Sequence, residues 1–142
     1  MYCFPPEQVT GLGLGNNSMM IPPISEIYMP SLTFLNIDDN NITVRGAIGK
    51  DSFPLLTHLY IRGNFIEMFP SEDLSDSLIQ LGVPRCGLNL LPSYLSMFKK
   101  LKYLDARDNS LRTISKELKH LLRNNDVEAY FSGNVELCDV EE

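Results

Sequence analysis

Tryptophan is absent from this chain, histidine occurs twice and cysteine three times. Two histidines with no H-x-x-x-H or C-x-x-C spacing provide no recognisable catalytic or metal site, and no cofactor is expected. Basic residues are also few, with 12 Lys and Arg against 18 Asp and Glu and a formal net charge of −6. Because attraction to phosphates needs clustered Lys and Arg, non-specific nucleic-acid binding is excluded as well. The composition therefore argues against an enzyme, a metal-binding protein and a nucleic-acid-binding protein.

Long hydrophobic runs are missing too. No stretch approaches the roughly 18 apolar residues that a membrane span requires. The first residues, Met1 to Glu7, have neither the basic nor the apolar region of a signal peptide. We expect a cytoplasmic chain if the sequence is complete, and an extracellular or membrane-anchored one if it belongs to a longer receptor. The glycosylation tripeptides at Asn16 and Asn41 are usable only in the second case.

What the chain does have is an internal repeat. The pattern L-x-x-L-x-L-x-x-N-x-L, with apolar exchanges, begins at Val9, Leu32, Leu56, Leu78, Leu101 and, in degenerate form, Asp126. Its ninth position recurs after 23, 24, 22, 23 and 25 residues. We call these ninth positions the ladder residues: Asn17, Asn40, Asn64, Cys86, Asn109 and Asn134. A fixed period of this length predicts stacked structural repeats.

In this pattern the chain resembles the leucine-rich repeat superfamily over roughly residues 9 to 138. The resemblance implies an α/β fold: a right-handed solenoid in a short horseshoe arc, with a parallel sheet on its concave face. It divides the chain into a short N-terminal segment 1–8, five repeats over 9–125, and a degenerate last repeat with a C-terminal tail over 126–142. The ending from Phe131 to Cys138 is similar to the G-N-x-x-x-C termination of plant and oomycete surface receptors.

Each repeat is expected to form one short strand. Since successive strand residues alternate between faces, the fourth and sixth repeat positions point inward and the third and fifth point outward. The inward residues are Leu12/Leu14, Leu35/Ile37, Leu59/Ile61, Leu81/Val83, Leu104/Ala106 and Ala129/Phe131. If the repeats stack in register, these residues form a continuous apolar wall.

The convex side is predicted to be a mixture of irregular, 3-10 and α segments. Ile114, Leu118, Leu121 and Leu122 have helical spacing, which predicts a helix over 115–123 with Ser115 as its N-cap. Prolines and glycines at 21–24 and 44–49 predict extended or irregular chain there.

The ladder Asn amides are expected to satisfy backbone groups where the chain turns inward, and Cys86 to substitute for Asn in one layer. Cys86 and Cys138 lie two layers apart, roughly 10 Å at strand spacing. That separation exceeds the reach of a disulfide, so three free thiols are predicted.

The concave face is the common binding surface in this superfamily, so the resemblance points there. Aromatic and Arg side chains, which are enriched at binding hot spots, recur at its outward positions. The predicted partner-binding residues are Phe34, His58, Tyr60, Arg62, Tyr103, Asp105 and Arg107. Gly11, Gly13 and Gly15 lack phosphate-loop spacing, and they leave the first layer bare or let another backbone approach.

These features favour a non-enzymatic module that binds a protein or peptide. Two alternatives stay open. One is the ligand-sensing part of a membrane receptor or secreted defence-related protein, for which an upstream signal peptide and a downstream membrane span would decide. The other is the recognition arm of a kinase or ubiquitin ligase, for which an adjoining catalytic domain would decide. The partner and the oligomeric state are not determined by these residues.

Overall fold

The computed structural model describes residues 5–137. Within that range the chain forms eight short strands, which are β1 (Gly11–Gly13), β2 (Phe34–Asn36), β3 (Thr43–Val44), β4 (His58–Tyr60), β5 (Phe65–Ile66), β6 (Gln80–Gly82), β7 (Tyr103–Asp105) and β8 (Glu128–Tyr130). Six of them make one parallel sheet in the order β1-β2-β4-β6-β7-β8, with one strand from each repeat. This is the leucine-rich repeat solenoid that the sequence predicted.

The register of the sheet keeps equivalent repeat positions side by side. The fourth positions pair in one row: Leu12, Leu35, Leu59, Leu81, Leu104 and Ala129. Leu59, Leu81 and Leu104 are fully buried, whereas Leu12 and Ala129 in the end layers are half-buried. The predicted apolar wall is therefore confirmed, and its two ends are more open than its centre.

The eighth position of all six repeats has a left-handed backbone. Here φ lies between 52° and 81° at Asn16, Asp39, Gly63, Arg85, Asp108 and Gly133. The conformation turns the chain inward just before each ladder residue. Two glycines adopt it without a Cβ penalty, and Asn and Asp tolerate it better than most residues. Arg85 is the unfavourable member, and no feature of the repeat pattern indicated it.

The convex side is mixed, as predicted. It carries 3-10 helices at Ile24–Glu26, Glu72–Asp76 and Ser93–Met97, and the helix α1 at Lys116–Asn124. α1 buries Leu118 and Leu121, and the Ser115 hydroxyl accepts a hydrogen bond from the Leu118 N–H at 3.1 Å. The predicted helix and its N-cap are thus confirmed.

A two-stranded parallel sheet of β3 and β5 follows the turns of two neighbouring repeats. The sequence predicted only extended or irregular chain around Val44, because two-residue strands leave no periodicity to detect. Among the described residues, no helix combines the length and apolar character needed to cross a bilayer.

Candidate functional site on the concave face

Three aromatic rings cluster on the first half of the concave sheet. The Phe34 ring centroid lies 5.6 Å from that of Tyr60 and 6.4 Å from that of His58. Phe34 is 38% exposed, and the other two rings are half-buried. The structure thus brings together three of the predicted partner-binding residues as one exposed aromatic surface.

Tyr60 reaches across the middle of the sheet. Its hydroxyl donates to the Gln80 Oε1 of the next strand. An ideal Cβ on Gly82 would lie 3.1 Å from the Tyr60 Cδ1, so the ring lies over that glycine. Gly82 therefore gives Tyr60 the space to lie flat, a role that the sequence did not reveal.

A second aromatic pair lies on the other half of the face. The ring centroids of Tyr103 and Tyr130 are 5.8 Å apart, and the Arg107 Cζ lies 5.3 Å from the centre of the Tyr130 ring. The Tyr130 hydroxyl donates to the Glu128 carboxylate. This bond raises the Tyr130 pKa, and burial raises those of Tyr60 and Tyr103, so all three phenols are neutral donors at pH 7.

Arg107 is held in one geometry by Asp105. Its Nε donates to Asp105 Oδ1 at 2.9 Å, and its Nη2 donates to Oδ2 at 2.7 Å. Burial acts to raise the Asp105 pKa, but the Arg107 hydrogen bonds and charge outweigh it and hold that pKa below its usual value. The fork is bidentate, which fixes the plane of the guanidinium group.

Asp105 was predicted to point outward and to contact a partner, but the structure buries its side chain. It is only 2% exposed. Its carboxylate is occupied by Arg107, which keeps 40% of its own side chain accessible. Asp105 therefore positions Arg107, and Arg107 is the member of the pair that a partner can reach.

A polar pocket of about 260 Å³ lies at the edge of the face where the strands end, lined by Arg62, Pro84, Arg85, Arg107 and Asp108. Arg85 was missed by the sequence reasoning. Its guanidinium pairs with Asp39 at 2.7 Å. The bridge crosses Gly63, where a Cβ would lie 2.4 Å from the Asp39 Oδ1. The bridge joins the eighth positions of two repeats, and all three eighth positions involved, Asp39, Gly63 and Arg85, have a left-handed backbone. The repeat pattern alone does not indicate this backbone conformation.

The ladder residues form hydrogen bonds between successive layers. Asn109 Oδ1 accepts the backbone N–H groups of Cys86 and Leu88, both at 3.0 Å. Its Nδ2 donates to the carbonyls of Val83, Ala106 and Arg107. Asn40 repeats this arrangement in full with its own neighbours. Asn64 and Asn134 form related bonds, in which Asn64 Oδ1 accepts the Ile42 N–H and Asn134 Oδ1 accepts the Leu111 N–H. Asn17 in the first layer is exposed, and among the described residues its side-chain amide donates only to the Gly15 carbonyl.

Cys86 occupies the ladder position of the fourth layer. Its single S–H is shared between two carbonyls, with the Sγ 3.2 Å from the Ile61 oxygen and 3.4 Å from the Pro84 oxygen. Burial raises its pKa to about 12. A buried neutral thiol is a poor nucleophile, because the thiolate is the reactive form. Cys3 and Cys138, the other two thiols of the prediction, lie outside the described residues.

We expect Cys86 to be unreactive in the native protein. In a variant with Cys3→Ser and Cys138→Ser, a thiol reagent at pH 8 should label the folded protein at least about a hundredfold more slowly than the denatured protein. The rate of release of the reagent's chromophore measures the difference. Equal rates would contradict the burial of Cys86 in the ladder.

The two histidines lie in different parts of the fold. His58 Nδ1 lies 2.8 Å from the Thr57 hydroxyl on the sheet, and His120 Nε2 lies 2.8 Å from Asn124 Nδ2 on α1. Within residues 5–137, no cluster of His, Cys, Asp or Glu is arranged to hold a metal ion. The sequons at Asn16 and Asn41 have exposed asparagines.

No protein-family model matches the chain. The chain is similar to a zebrafish (Danio rerio) protein, transforming growth factor beta activator LRRC33, with 34% identity over 128 residues. The match covers 89% of this chain and 18% of that protein, so the chain spans less than a fifth of its relative's length. This vertebrate relative gives no support to the expected plant and oomycete likeness. The repeat sequence, the sheet register and this similarity agree that the chain has the leucine-rich repeat fold.

Proposed function

We propose that the chain is a protein-interaction module that binds a protein or peptide through its concave face. The observation that carries the proposal is the Asp105–Arg107–Tyr130 arrangement. Burying the Asp105 carboxylate in the sheet costs desolvation free energy. The buried carboxylate holds the accessible Arg107 guanidinium against the Tyr130 ring. Leucine-rich repeat domains typically act in protein–protein interaction, which agrees with this assignment.

The exposed side chains of the face suit binding energetically. Tyr and Phe provide contact area with few rotatable bonds, so little conformational entropy is lost when a partner covers them. Arg107 is already oriented by its fork and has less freedom to lose than a flexible arginine. The guanidinium of Arg62 has no hydrogen-bond or ion-pair partner among the described residues, which leaves its donors for a partner's carboxylate.

The test uses a partner captured on the immobilised chain. Tyr60→Ala and Tyr103→Ala should each weaken binding by about 1–3 kcal/mol, as hot-spot truncations do. Lys116→Ala and Lys119→Ala on α1 should change the affinity far less. Calorimetry or surface plasmon resonance measures the dissociation constants of the four variants. Larger losses from the two α1 variants would move the binding site to the convex side.

Arg107 needs a separate design. Arg107→Ala would leave a buried charge at Asp105 without its partner, which destabilises folding and confuses the result. Arg107→Lys keeps a compensating charge but removes the bidentate fork. We expect it to weaken binding while the melting temperature changes little. Binding equal to that of the parent chain would show that the fork has no part in recognition.

A second candidate is suggested by the zebrafish relative, whose name describes activation of transforming growth factor beta. The chain would then be the ligand-sensing part of a receptor or secreted protein, one of the two alternatives left open above. Transforming growth factor beta is the first ligand to test under this hypothesis. Binding that is lost in Tyr60→Ala would support it, and absence of binding at high micromolar concentration would reject it.

A further inference from the structure

The polar pocket of about 260 Å³ lies at the seventh repeat position of the concave face. The third and fifth layers carry Arg62 and Arg107 there, and the fourth layer carries Pro84 between them. Proline has no backbone N–H and a short apolar ring, so it adds no donor to the pocket. The two arginine backbones are two layers apart, roughly 10 Å at strand spacing. Their guanidinium groups therefore lie on opposite sides of one pocket.

This pocket has more hydrogen-bond donors than free acceptors. Its backbone carbonyl groups each accept an N–H of the preceding layer, at 2.6 Å for Arg62, 3.0 Å for Pro84 and 3.1 Å for Arg107. Arg85, which also lines the pocket, uses one Nη group in its ion pair, and Arg107 uses Nε and Nη2. Each guanidinium group has five N–H donors, so unused donors remain on all three arginines.

The nearby carboxylates are directed elsewhere. Those of Asp38, Asp39 and Asp105 do not line the pocket. Asp39 and Asp105 form ion pairs with two of the arginines, and Asp38 Oδ1 accepts a backbone N–H at 2.7 Å. Asp108 does line the pocket, but its carboxylate lies over Gly133 in the sixth layer, where a Cβ would overlap it. The unused arginine donors therefore face a space that these carboxylates do not fill.

Arg62 is the least committed of the three arginines. Within residues 5–137, its guanidinium forms no ion pair and no hydrogen bond. Its charge nevertheless acts across the pocket. Burial acts to raise the Asp105 pKa, and the Arg62 charge is one of the effects that hold that pKa low. Arg62 and Arg107 thus bring like charges to one small space, and an anion between them would relieve their repulsion.

We propose that the pocket between Arg62 and Arg107 is an oxyanion subsite, which takes the carboxylate of an Asp or Glu side chain in the partner. The inference rests on the proposed binding at the concave face, and it assigns an acidic segment to that partner. A guanidinium group binds a carboxylate through two parallel N–H···O bonds. Arg62 supplies this fork, and the unused N–H groups of Arg85 and Arg107 reach the carboxylate from the other sides.

The charge of the pocket suits a carboxylate better than a phosphate. Asp39 and Asp105 compensate two of the three arginine charges. Asp38 lies near enough to interact electrostatically with Arg62, so it opposes the entry of a second negative charge. A carboxylate carries one negative charge, whereas a phosphate ester carries about −1.5 to −2 at pH 7. The ligand group should therefore be a monoanion.

The experiment is an NMR titration of the full ¹⁵N-labelled chain at low ionic strength, followed at the arginine Nε–Hε signals. The probe is the tetrapeptide Phe-Glu-Glu-Phe with blocked ends, because aromatic rings flank the pocket on the concave face. Its signals should shift at Arg62 and Arg107 and saturate in about the millimolar range, since accessible ion pairs are weak. The uncharged Phe-Gln-Gln-Phe should bind about fivefold more weakly, and about 0.5 M sodium chloride should remove most of this difference.

Three variants separate the pocket from net charge. Arg62→Gln should weaken binding of Phe-Glu-Glu-Phe by about fivefold and leave Phe-Gln-Gln-Phe unchanged, since only a charged fork is lost. Arg45→Gln makes the same change of net charge at an exposed position outside the pocket and should have little effect. Asp38→Asn keeps an oxygen for the backbone N–H but removes the negative charge, so it should tighten binding by about twofold.

Equal binding of the two peptides, the absence of a shift at Arg62, or equal losses from Arg62→Gln and Arg45→Gln would overturn the proposal. Inorganic sulfate that shifts the same signals at lower concentration than the acidic peptide would overturn the assignment to a carboxylate. The concave-face proposal fails on a different result, which is partner binding that survives Tyr60→Ala and Tyr103→Ala. A captured partner that needs Tyr60, on a chain that ignores the acidic peptide, rejects only the carboxylate subsite.

Discussion

Replacing Leu81 with alanine is expected to lower the free energy of unfolding by about 2–5 kcal/mol, the usual cost of a cavity in a packed core. Leu81 is fully buried, and it lies between Leu59 and Leu104 in the row of fourth positions. No flanking layer can collapse into the space without losing its own register. Because solenoid stability depends on contacts between adjacent layers, the loss should weaken the whole array.

Thermal unfolding followed by circular dichroism measures the effect, which should be on the order of 10 °C in melting temperature. Leu59→Ala, one layer away in the same row, should lower the melting temperature by a similar amount. Leu90→Ala is the matched control, since Leu90 is 64% exposed and should change the melting temperature by no more than a degree or two. A similarly small shift for Leu59 or Leu81 would contradict the register of the sheet.

The second large effect is expected at the ladder. Asn109→Ala removes the acceptor of two backbone N–H groups, and Asn109 is only 8% exposed, so solvent has little access to replace it. Each buried group left without a partner costs about 1–3 kcal/mol, so for the two groups we expect a total loss of about 2–6 kcal/mol. Urea denaturation measures it, with Asn89→Ala at an exposed position as the control.

Cysteine provides a graded comparison at the same position. The chain itself uses Cys86 in the fourth layer, where the thiol donates to the carbonyls that an asparagine amide would reach. Asn109→Cys should therefore destabilise the protein less than Asn109→Ala. If the two variants lower the free energy of unfolding equally, or if neither lowers it, the ladder hydrogen bonds do not stabilise the fold as described.

The repeat pattern predicted most of the fold, because one period determines which residues share a row and which row faces the core. Leu59 and Leu81 followed directly from that rule. The helix α1 followed from apolar spacing together with an N-cap serine. The division into segments 1–8, 9–125 and 126–142 stays a prediction. The strands β3 and β5 could not be predicted, since two residues are too few for a pattern.

The candidate site was less predictable, since its geometry depends on contacts between repeats. Strand alternation predicted an outward Asp105 that contacts a partner, but in the structure Asp105 is buried and binds Arg107. The Asp39–Arg85 bridge spans two layers and needs the bare Gly63 between them. A single repeat carries no signal for either arrangement, because each depends on which side chains neighbouring layers place side by side.

The most direct test of the account is a photo-cross-linking experiment on the concave face. A benzophenone side chain is introduced in place of Tyr103, on the concave face, or Met97, which is 55% exposed on the convex side. After irradiation with the captured partner, position 103 should give a cross-linked product and position 97 should not. A product from position 97 alone would contradict concave-face binding.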